Sequence, residues 1–492
     1  MEAVADGVVA TRDEVNRWLV LTIVCIAQFM VILDATIVNV ALPTIQRDLH
    51  FSVSSLQWIV NAYTLVFGGF LLLGGRASDL IGRQRLFIAG VVLFTGASLV
   101  NGLAQSSGML IGGRAAQGLG AALVSPAALS IVTTTFKEGA ERTKALGVWS
   151  AIAAGGAAVG LVVGGLLTEY LSWRWVFFIN LPVGIAATLL ALRFVHNTRA
   201  EEAPETADVA GAVTVTAGLL VLVYGIVKAQ SYGWGSWKTI GLGVVALALL
   251  SAFVWIENHS RAPLMRLGIF RMRSLSGANT AMLFVASGLF AMFYFASLYL
   301  QDILHYSPVK AGLAFVPFTL GIVVGAGLSQ PLISRIGVRV VTYIGLTLGV
   351  VGLALFTQLP THGHYVPNVL PTIAVTSIGM GLTFVPLTLL ATTNVDAEDA
   401  GLASGLLNTS QQVGGALGLA VLSTLAASHT SHILNHGVTT IAAKASAYTR
   451  GYHVAFGVGA VLLAAGIAVV AATIRKRDVE AIDSGHVELP VA

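Results

Sequence analysis

Charged side chains are scarce in this sequence. Asp, Glu, Lys and Arg make up 10% of its 492 residues, whereas soluble domains typically reach about 25%. Apolar residues make up 56%, and the mean hydropathy is +0.83. Because side chains that face lipid need not be polar, this composition excludes an ordinary soluble domain and indicates a membrane protein with many spans.

Cysteine and catalytic motifs are also nearly absent. The one cysteine, Cys25, lies in an apolar run, which excludes an intrachain disulfide and cysteine-based zinc or haem sites. No glycine loop ending in Gly-Lys-Ser/Thr is present, so nothing supports ATP as an energy source. No loop carries a nucleophile beside a base. We therefore expect a protein that is not an enzyme and that takes no cofactor and no nucleic-acid partner.

Long apolar segments recur along the chain. Fourteen of them are long enough to cross a bilayer, since about 20 helical residues span its hydrocarbon core. They lie at 18–42, 56–75, 86–105, 108–132, 145–168, 173–195, 209–230, 238–256, 275–300, 309–332, 340–359, 366–392, 401–427 and 451–474. The stretch before the first segment lacks the positive charge of a signal peptide, so we expect that segment to remain as a span.

Lys and Arg are distributed unevenly between the loops. With the N-terminus inside, 19 of the 27 basic residues lie on the inner side, seven on the outer side and one, Arg114, within a span. Cytoplasmic loops carry an excess of these residues. Both termini are therefore predicted to be cytoplasmic, and we expect a multi-pass protein of a bacterial plasma membrane.

Two short segments repeat at one offset. IQRDLHFS at 45–52 matches LQDILHYS at 300–307, and GRASDLIGRQR at 75–85 matches QPLISRIGVRV at 330–340, both 255 residues apart. The offset pairs spans 1 and 2 with spans 9 and 10 and predicts two parallel six-span halves. Transporters built in this way hold substrate between the halves near the midplane. Chance similarity between short flanking segments is the alternative.

The predicted fold class is an all-α polytopic membrane protein with 14 transmembrane helices, in two pseudo-symmetric six-helix bundles plus a central helix pair. The expected parts are a cytoplasmic N-terminal tail at 1–17, a six-helix bundle at 18–195, a linker with the two extra helices at 196–272, a second six-helix bundle at 273–474 and a cytoplasmic tail at 475–492.

One acid interrupts the first span. Asp34 is the only charged residue between Trp18 and Leu42, and its neighbours three and four positions away are apolar. A charge at membrane depth costs at least about 2.5 kcal/mol, so an acid kept there is a functional candidate. Desolvation favours its neutral form, which suits proton binding and release. A carboxylate that only helps helices to pack is the alternative.

Arg114 lies at a similar depth in the fourth span. At about 1.5 Å per residue, Arg114 is about 9 Å and Asp34 about 12 Å below the outer boundary. We therefore expect the two groups to couple electrostatically. The arginine favours the charged form of the acid, whereas burial favours the neutral form. A structural arginine that donates to span carbonyls is the alternative.

Four stretches resemble the fourteen-span drug:proton antiporters of the major facilitator superfamily. They are LDATIVNVALPTI at 33–45, GRASDLIGRQR at 75–85, LIGGRAAQGLGAA at 110–122 and WRWVFFINLPVG at 173–184. The resemblance implies that the arginine of the third stretch, Arg114, serves proton coupling. It also implies that the second stretch is a gating motif that latches the two halves, with residues Gly75, Asp79, Gly82, Arg83 and Arg85. Basic residues that only keep this loop inside are the alternative.

The fifth span departs from the pattern of these antiporters. In GGAAVGLVVGG at 155–165, Leu161 stands where the family has proline, so the sequence does not supply the residue that would kink the helix. Small residues still leave one helical face bare for close packing. This antiporter glycine face consists of Gly156, Gly160, Gly164 and Gly165.

Polar and aromatic residues on the spans are candidates to line a substrate cavity, namely Asn39, Tyr63, Trp149, Phe384, Asn408 and Gln412. Aromatic faces suit lipophilic cations, although such residues also serve as packing or interface anchors. Spans 10 to 13 carry no acid in their cores, which favours neutral or monovalent substrates. His429, His432 and His436 have helical spacing, but no acid or cysteine accompanies them, so we expect a solvated loop and no metal.

Together the residues and the resemblance predict a secondary transporter. It would export small lipophilic drugs or antibiotics across the plasma membrane by alternating access, with protons as the coupling ion. We expect a monomer in the lipid bilayer that uses no ATP. Two alternatives stay open: a dedicated exporter of one endogenous metabolite or self-made antibiotic, and a non-transporting membrane sensor on the same fold.

Overall fold

The computed structural model describes residues 16–136, 139–198, 208–393, 395, 399–435, 440–475 and 479, and these residues form helices and no strand. The α-helices are α1 Arg17–Asp48, α2 Val53–Leu56, α3 Trp58–Ile81, α4 Arg83–Gly102, α5 Ser107–Thr135, α6 Ala140–Tyr170, α7 Trp175–Phe178, α8 Asn180–Phe194, α9 Val209–Tyr232, α10 Trp237–His259, α11 Arg273–Leu298, α12 Pro308–Ala314, α13 Val316–Ile336, α14 Val338–Phe356, α15 Leu370–Thr392, α16 Ala400–Leu434 and α17 Ile441–Thr473. A 3₁₀ segment lies at Leu267–Arg271, and π-helical segments lie at Tyr299–Ile303 and Tyr365–Val369. Most of both predicted tails lies outside the described residues.

The helices account for every predicted span. Thirteen helical stretches are long and apolar enough to cross a membrane, and the second half of α6, Gly155–Tyr170, is a shorter apolar helix. Each predicted span coincides with one of these fourteen stretches. The predicted all-α polytopic fold is confirmed.

Several helices extend beyond their apolar segments, and α1 and α17 are two examples. α1 continues through Pro43 to Asp48, where Arg47 Nε donates a hydrogen bond to the Pro43 carbonyl at 3.1 Å. α17 begins at Ile441, ten residues before the predicted span, because the Thr440 side chain caps it. A hydropathy window ends where side chains become polar, whereas a helix ends where its backbone hydrogen bonds end.

The backbone repeats in the two halves at the offset seen in the sequence. His50 and His305 both have a φ of 53°, a left-handed conformation that is uncommon outside glycine. Gly82 and Gly337 also match, with φ of 109° and 85°. A serine side chain caps each of the short helices α2 and α12, which follow the two histidines. These pairs establish the pseudo-symmetry of the two bundles.

The bundles meet along two seams. On one side α6 packs against α12 and α13, and on the other side α3 packs against α16. The central helices α9 and α10 pair with each other, and α9 contacts both α3 and α16, so it covers the second seam. We call the side with the helix ends at Arg17, Ile81 and Thr473 the terminal face, and the side with the end at Asp48 the distal face.

Polar contacts between the bundles concentrate towards the distal face. Ser297 Oγ of α11 donates to the backbone carbonyl of Asn39 in α1 at 2.8 Å. The backbone N–H of Val309 in α12 donates to Glu169 Oε2 of α6 at 2.9 Å. Apolar residues of α1 and α11 also share one buried core. The distal ends of the two bundles are thus closed against each other.

Candidate functional site

Asp34 is fully buried at the centre of a polar cluster inside the first bundle. Its Oδ2 accepts a hydrogen bond from Nη1 of Arg114 and forms an ion pair with it. Its Oδ1 accepts from Gln117 Nε2 at 2.9 Å and from Asn180 Nδ2 at 3.0 Å. Three helices, α5, α8 and α1 itself, therefore converge on one carboxyl group.

Arg114 is held from several sides and is 1% exposed. Its Nε donates to the Ile59 carbonyl of α3 at 3.0 Å, and its Nη1 also donates to Gln117 Oε1 at 2.9 Å. The guanidinium carbon lies 4.3 Å from the ring centroid of Tyr63, a cation–π arrangement. Both roles considered for this arginine, partner of the acid and donor to a span carbonyl, are compatible with these contacts.

Other polar residues of the cluster were missed by the sequence analysis. Gln117 Nε2 donates to Ser98 Oγ at 2.6 Å, and Asn101 Nδ2 donates to Gln117 Oε1 at 2.5 Å. Asn180 Nδ2 lies 3.2 Å from the same Ser98 hydroxyl. The sequence contained a pattern that could have indicated these residues. Ser98 and Asn101 are polar and lie three positions apart within an apolar span, as do Arg114 and Gln117.

The cluster keeps a carboxyl group at membrane depth in contact with its donors. The ion pair with Arg114 and the hydrogen bonds from the two amide donors offset the cost of burying this charged group. An acid held in this way within a membrane span is a functional candidate.

The predicted gating motif lies at the terminal face, at the turn from α3 to α4. Asp79 and Arg83 form an i,i+4 ion pair at 3.7 Å. The backbone N–H of Arg83 donates to the Thr198 carbonyl at 3.0 Å. Gly82 has a φ of 109°, and a Cβ at this position would collide with the Asn197 side chain. Glycine is therefore needed there. Arg85 is exposed. A Cβ on Gly75 would stand 4.0 Å from Cβ of Pro126. These contacts lie within the first bundle and the segment directly after α8.

The predicted glycine face lies between α6 and α1. A Cβ on Gly156 would stand 3.2 Å from Ile32 Cγ2, and one on Gly164 would stand 2.7 Å from the Ile37 carbonyl oxygen. Gly160 faces Thr36 of the same helix. α6 is a single helix from Ala140 to Tyr170.

Gly165 faces a different neighbour from the other three glycines. A Cβ on it would stand 2.6 Å from the Pro308 carbonyl oxygen, which belongs to α12 of the second bundle. The buried Leu161 lies one turn earlier, and its carbonyl contacts Gly312 of the same α12. α6 therefore uses one small-residue face for α1 and another for closing the distal face.

We expect Gly165→Val to open the distal face. Overpacking of a close contact costs about 1–3 kcal/mol, and 1.4 kcal/mol changes a two-state ratio about tenfold. The measurement is the distance distribution between spin labels on Ser54→Cys and Lys310→Cys in a Cys25→Ala background. The matched control is Gly155→Val, because nothing lies within 4 Å of the Cβ position there. Equal distributions in both variants would contradict the assignment of this contact.

The six cavity candidates occupy different settings. Tyr63 is buried beneath Arg114 and so belongs to the polar cluster. Trp149 and Phe384 are half-buried and pack against separate apolar cores. Asn39 is half-buried, and its side chain donates to the Ala35 carbonyl of its own helix at 3.2 Å.

The last two candidates lie on α16. Asn408 is exposed, and Gln412 packs against Gly68 of α3 at the seam between the bundles, 2.7 Å from the Cβ position there. No group of three His, Cys, Asp or Glu that could hold a metal occurs among the described residues. Of the three histidines noted in the sequence, His429 and His432 are exposed in the last two turns of α16 and not in the predicted loop, and His436 lies outside the described residues.

Comparison with known proteins connects this geometry to a family. The sequence profile of the Major Facilitator Superfamily matches residues 24–419. The chain is 42% identical over 459 residues to the puromycin resistance protein pur8 of Streptomyces alboniger, covering 92% of this chain and 91% of that protein. It is 41% identical over 415 residues to the cephamycin export protein CmcT of Amycolatopsis lactamdurans, covering 84% and 85%. The tetracenomycin C resistance and export protein of Streptomyces glaucescens is 36% identical over 85% of this chain and 77% of its own length.

Solved structures show the same fold at low sequence identity. A bacterial homologue of the human lysosomal transporter Spinster, in an inward-facing and unoccupied conformation, matches with a TM-score of 0.66 at 16% identity, covering 94% of this chain and 97% of that one. The nucleoside transporter NupG matches with a TM-score of 0.66 at 12% identity, covering 94% and 100%. This chain therefore belongs to the Major Facilitator Superfamily, in its drug-efflux subfamily, and is a transporter and not an enzyme.

Proposed function

We propose that this protein exports small lipophilic drugs or antibiotics in exchange for protons, by alternating access of a site between its two bundles. The observation that carries the proposal is the buried Asp34 carboxyl, which contacts Arg114 at membrane depth in a protein of this family. A titratable acid in a membrane span is a functional candidate because its burial is costly.

The names of similar proteins support the substrate class. They describe resistance to puromycin, export of cephamycin, and both resistance to and export of tetracenomycin C. The same names keep open a dedicated exporter of one self-made antibiotic or metabolite. A panel of puromycin, tetracycline-like compounds and cationic dyes separates a broad from a narrow substrate range. Membership of a transporter family favours transport over the sensor alternative.

In the proposed cycle the two bundles rock about the substrate site. We assign the described arrangement, closed at the distal face, to the state that opens to the cytoplasm. A proton that reaches Asp34 from the outside-facing state neutralises the carboxylate and weakens its hold on Arg114. Proton release to the inside restores the ion pair, and substrate binding then competes with reprotonation. The Asp79–Arg83 motif would gate the terminal face.

The orientation of the termini, the oligomeric state, the energy source and the limits of the two bundles are part of the same proposal. As a member of this family the chain is a multi-pass plasma-membrane protein that handles a small substrate without a cofactor. We propose cytoplasmic termini, a monomer, protons and not ATP as the energy source, and bundle limits at 18–195 and 273–474. Reporter fusions at both termini test the orientation, because a phosphatase fused to a cytoplasmic end stays inactive.

The experiment that tests the function is transport in proteoliposomes with an imposed pH gradient. Export that follows the gradient, collapses with a protonophore and ignores ATP supports the proposal. Export that is indifferent to the gradient while the protein is folded would overturn it.

We expect Asn180→Leu to lower the melting temperature of the protein. The variant removes one donor to the buried Asp34 carboxylate, and a hydrogen bond to a charged group is worth about 1.5–3 kcal/mol. The measurement is thermal unfolding in detergent. Asn258→Leu is the control, because that exposed amide donates to the Val254 carbonyl of its own helix. Equal melting temperatures for the two variants would show that the Asn180 amide does not stabilise the buried acid.

A further inference from the structure

A second pair of buried acids lies at the terminal end of the central helices. Asp208 caps the start of α9, and Glu257 lies in the last turn of α10; they are 8% and 4% exposed. One oxygen of each is satisfied by the backbone. Asp208 Oδ1 accepts the N–H of Gly211 at 2.7 Å, and Glu257 Oε2 accepts the N–H of Met265 at 3.2 Å.

The other oxygen of each acid has no hydrogen-bond partner in the described part of the chain. These atoms are Asp208 Oδ2 and Glu257 Oε1. Both lie 2.9 Å from the position that a Cβ on Gly211 would take, so they flank one spot that only glycine leaves free. Two buried carboxylates placed in this way repel each other when both are ionised.

The charged groups around the two acids do not neutralise both of them. Among the described residues, the charged groups that act on Glu257 are Asp208 of α9 and Arg76 of α3. In the segment after α10, Arg266 is engaged with Asp399 at 3.8 Å. Arg76 carries one positive charge, so it can offset at most one of the two carboxylates.

We propose that Asp208 and Glu257 bind one proton between their free oxygens and form a second proton-binding site, at the seam that the central helices cover. One acid donates its O–H to the ionised oxygen of the other, so both free oxygens gain a partner. A metal cation fits less well. Only two free oxygens converge there, whereas Ca²⁺ takes about six to eight oxygen ligands.

The proposed proton site lies beside the contacts that hold the central helices against the first bundle. Arg76 Nη2 donates to the Pro263 carbonyl at 3.5 Å, two residues before the Met265 N–H that Glu257 accepts. Leu73 of α3 packs there in one apolar cluster with residues of α9, α10 and the following segment. Loss of the proton would place two repelling charges beside Arg76, the neighbour of Gly75 in the gating motif. The site would therefore make the packing of the central helices on α3 sensitive to cytoplasmic pH.

The test is infrared spectroscopy of the full-length protein in lipid nanodiscs near neutral pH, which detects the C=O band of a protonated carboxyl. Glu257→Gln and Asp208→Asn should each remove the same single band from the wild-type spectrum. Gly211→Ala keeps both acids but places a methyl group between them, and it should shift or remove that band. Glu141→Gln is the matched control, because that acid is exposed and paired with Arg17.

Several results would overturn the proposal. Spectra of both acid variants that match the wild type would show that the pair is fully ionised. Two different bands, one lost in each variant, would show two protons and not one shared proton. Loss of the band on adding Na⁺, K⁺ or Ca²⁺ at constant pH would identify a cation site. If both variants fail to fold, the test uses the wild-type protein alone. Its band must then disappear as the pH is raised. A band that persists up to the highest pH at which the protein stays folded would overturn the proposal. Asp34→Asn should leave this band in place, so the outcome is independent of the export function.

Discussion

Asp34→Asn should abolish transport driven by a pH gradient and leave the fold intact. The asparagine keeps the shape of the side chain and an oxygen that accepts from Arg114, but it cannot bind and release a proton. We expect gradient-driven efflux from proteoliposomes to fall at least about 100-fold, since coupled exchange needs a titrating group at this depth. Exchange of labelled for unlabelled substrate, which needs no net proton movement, should persist.

Measuring both gradient-driven efflux and substrate exchange separates a defect in proton coupling from a general loss of transport. Loss of gradient-driven efflux with preserved substrate exchange identifies Asp34 as the proton site. Loss of both would indicate damage to substrate binding or to the conformational change. Glu141→Gln, on an exposed acid in α6, is the control and should behave like the wild type. Gradient-driven efflux at the wild-type rate in Asp34→Asn would show that coupling lies elsewhere and that Asp34 is structural.

Arg114→Ala should be the most destabilising single substitution in the polar cluster. It leaves a buried carboxylate without its charged partner, and breaking a buried ion pair in this way costs about 3–5 kcal/mol. It also frees the Ile59 carbonyl and removes the guanidinium from the Tyr63 ring. We expect a clearly lower melting temperature in detergent than that of the wild type.

A double variant and an exposed pair provide the controls for this prediction. Asp34→Asn combined with Arg114→Ala should recover part of the lost stability, since no charge then remains buried without a partner. Arg17→Ala breaks the exposed pair with Glu141, and exposed pairs are worth only about 0–1 kcal/mol. Equal melting temperatures for Arg114→Ala and Arg17→Ala would contradict the energetic role that we assign to the buried pair.

Much of the fold could be predicted from local features. Each span is marked by about 20 apolar residues, because an unpaired backbone group in lipid is costly and forces a helix. The repeat was visible in short polar segments, and its backbone signature, positive φ at His50 and His305 and at Gly82 and Gly337, appeared at the same offset. The helix ends at Asp48 and Ile441 were not predictable from hydropathy, because they depend on capping and on a tolerated proline.

The candidate site was predictable only in part. Asp34 and Arg114 stood out because a charge in an apolar span is rare, and their similar depths suggested proximity. Gln117, Asn180, Ser98 and Asn101 did not stand out, since uncharged polar residues occur in many spans at little cost. Tyr63 was assigned to the cavity, although its ring lies beneath Arg114. Which neutral side chains meet a charge depends on the rotation of each helix about its axis, and this rotation follows from packing.

Apolar length, the repeat, two isolated charges and the resemblance of four stretches to a transporter family were therefore enough to predict a polytopic transporter and its central acid. These features are local, and the bilayer acts on each span separately. Contacts between helices far apart in the chain decided the rest. Examples are the approach of Gly165 to α12, the donors around Asp34, and the meeting of Asp208 with Glu257 over Gly211. Such contacts arise only when bundles close against one another, so no single stretch of residues encodes them.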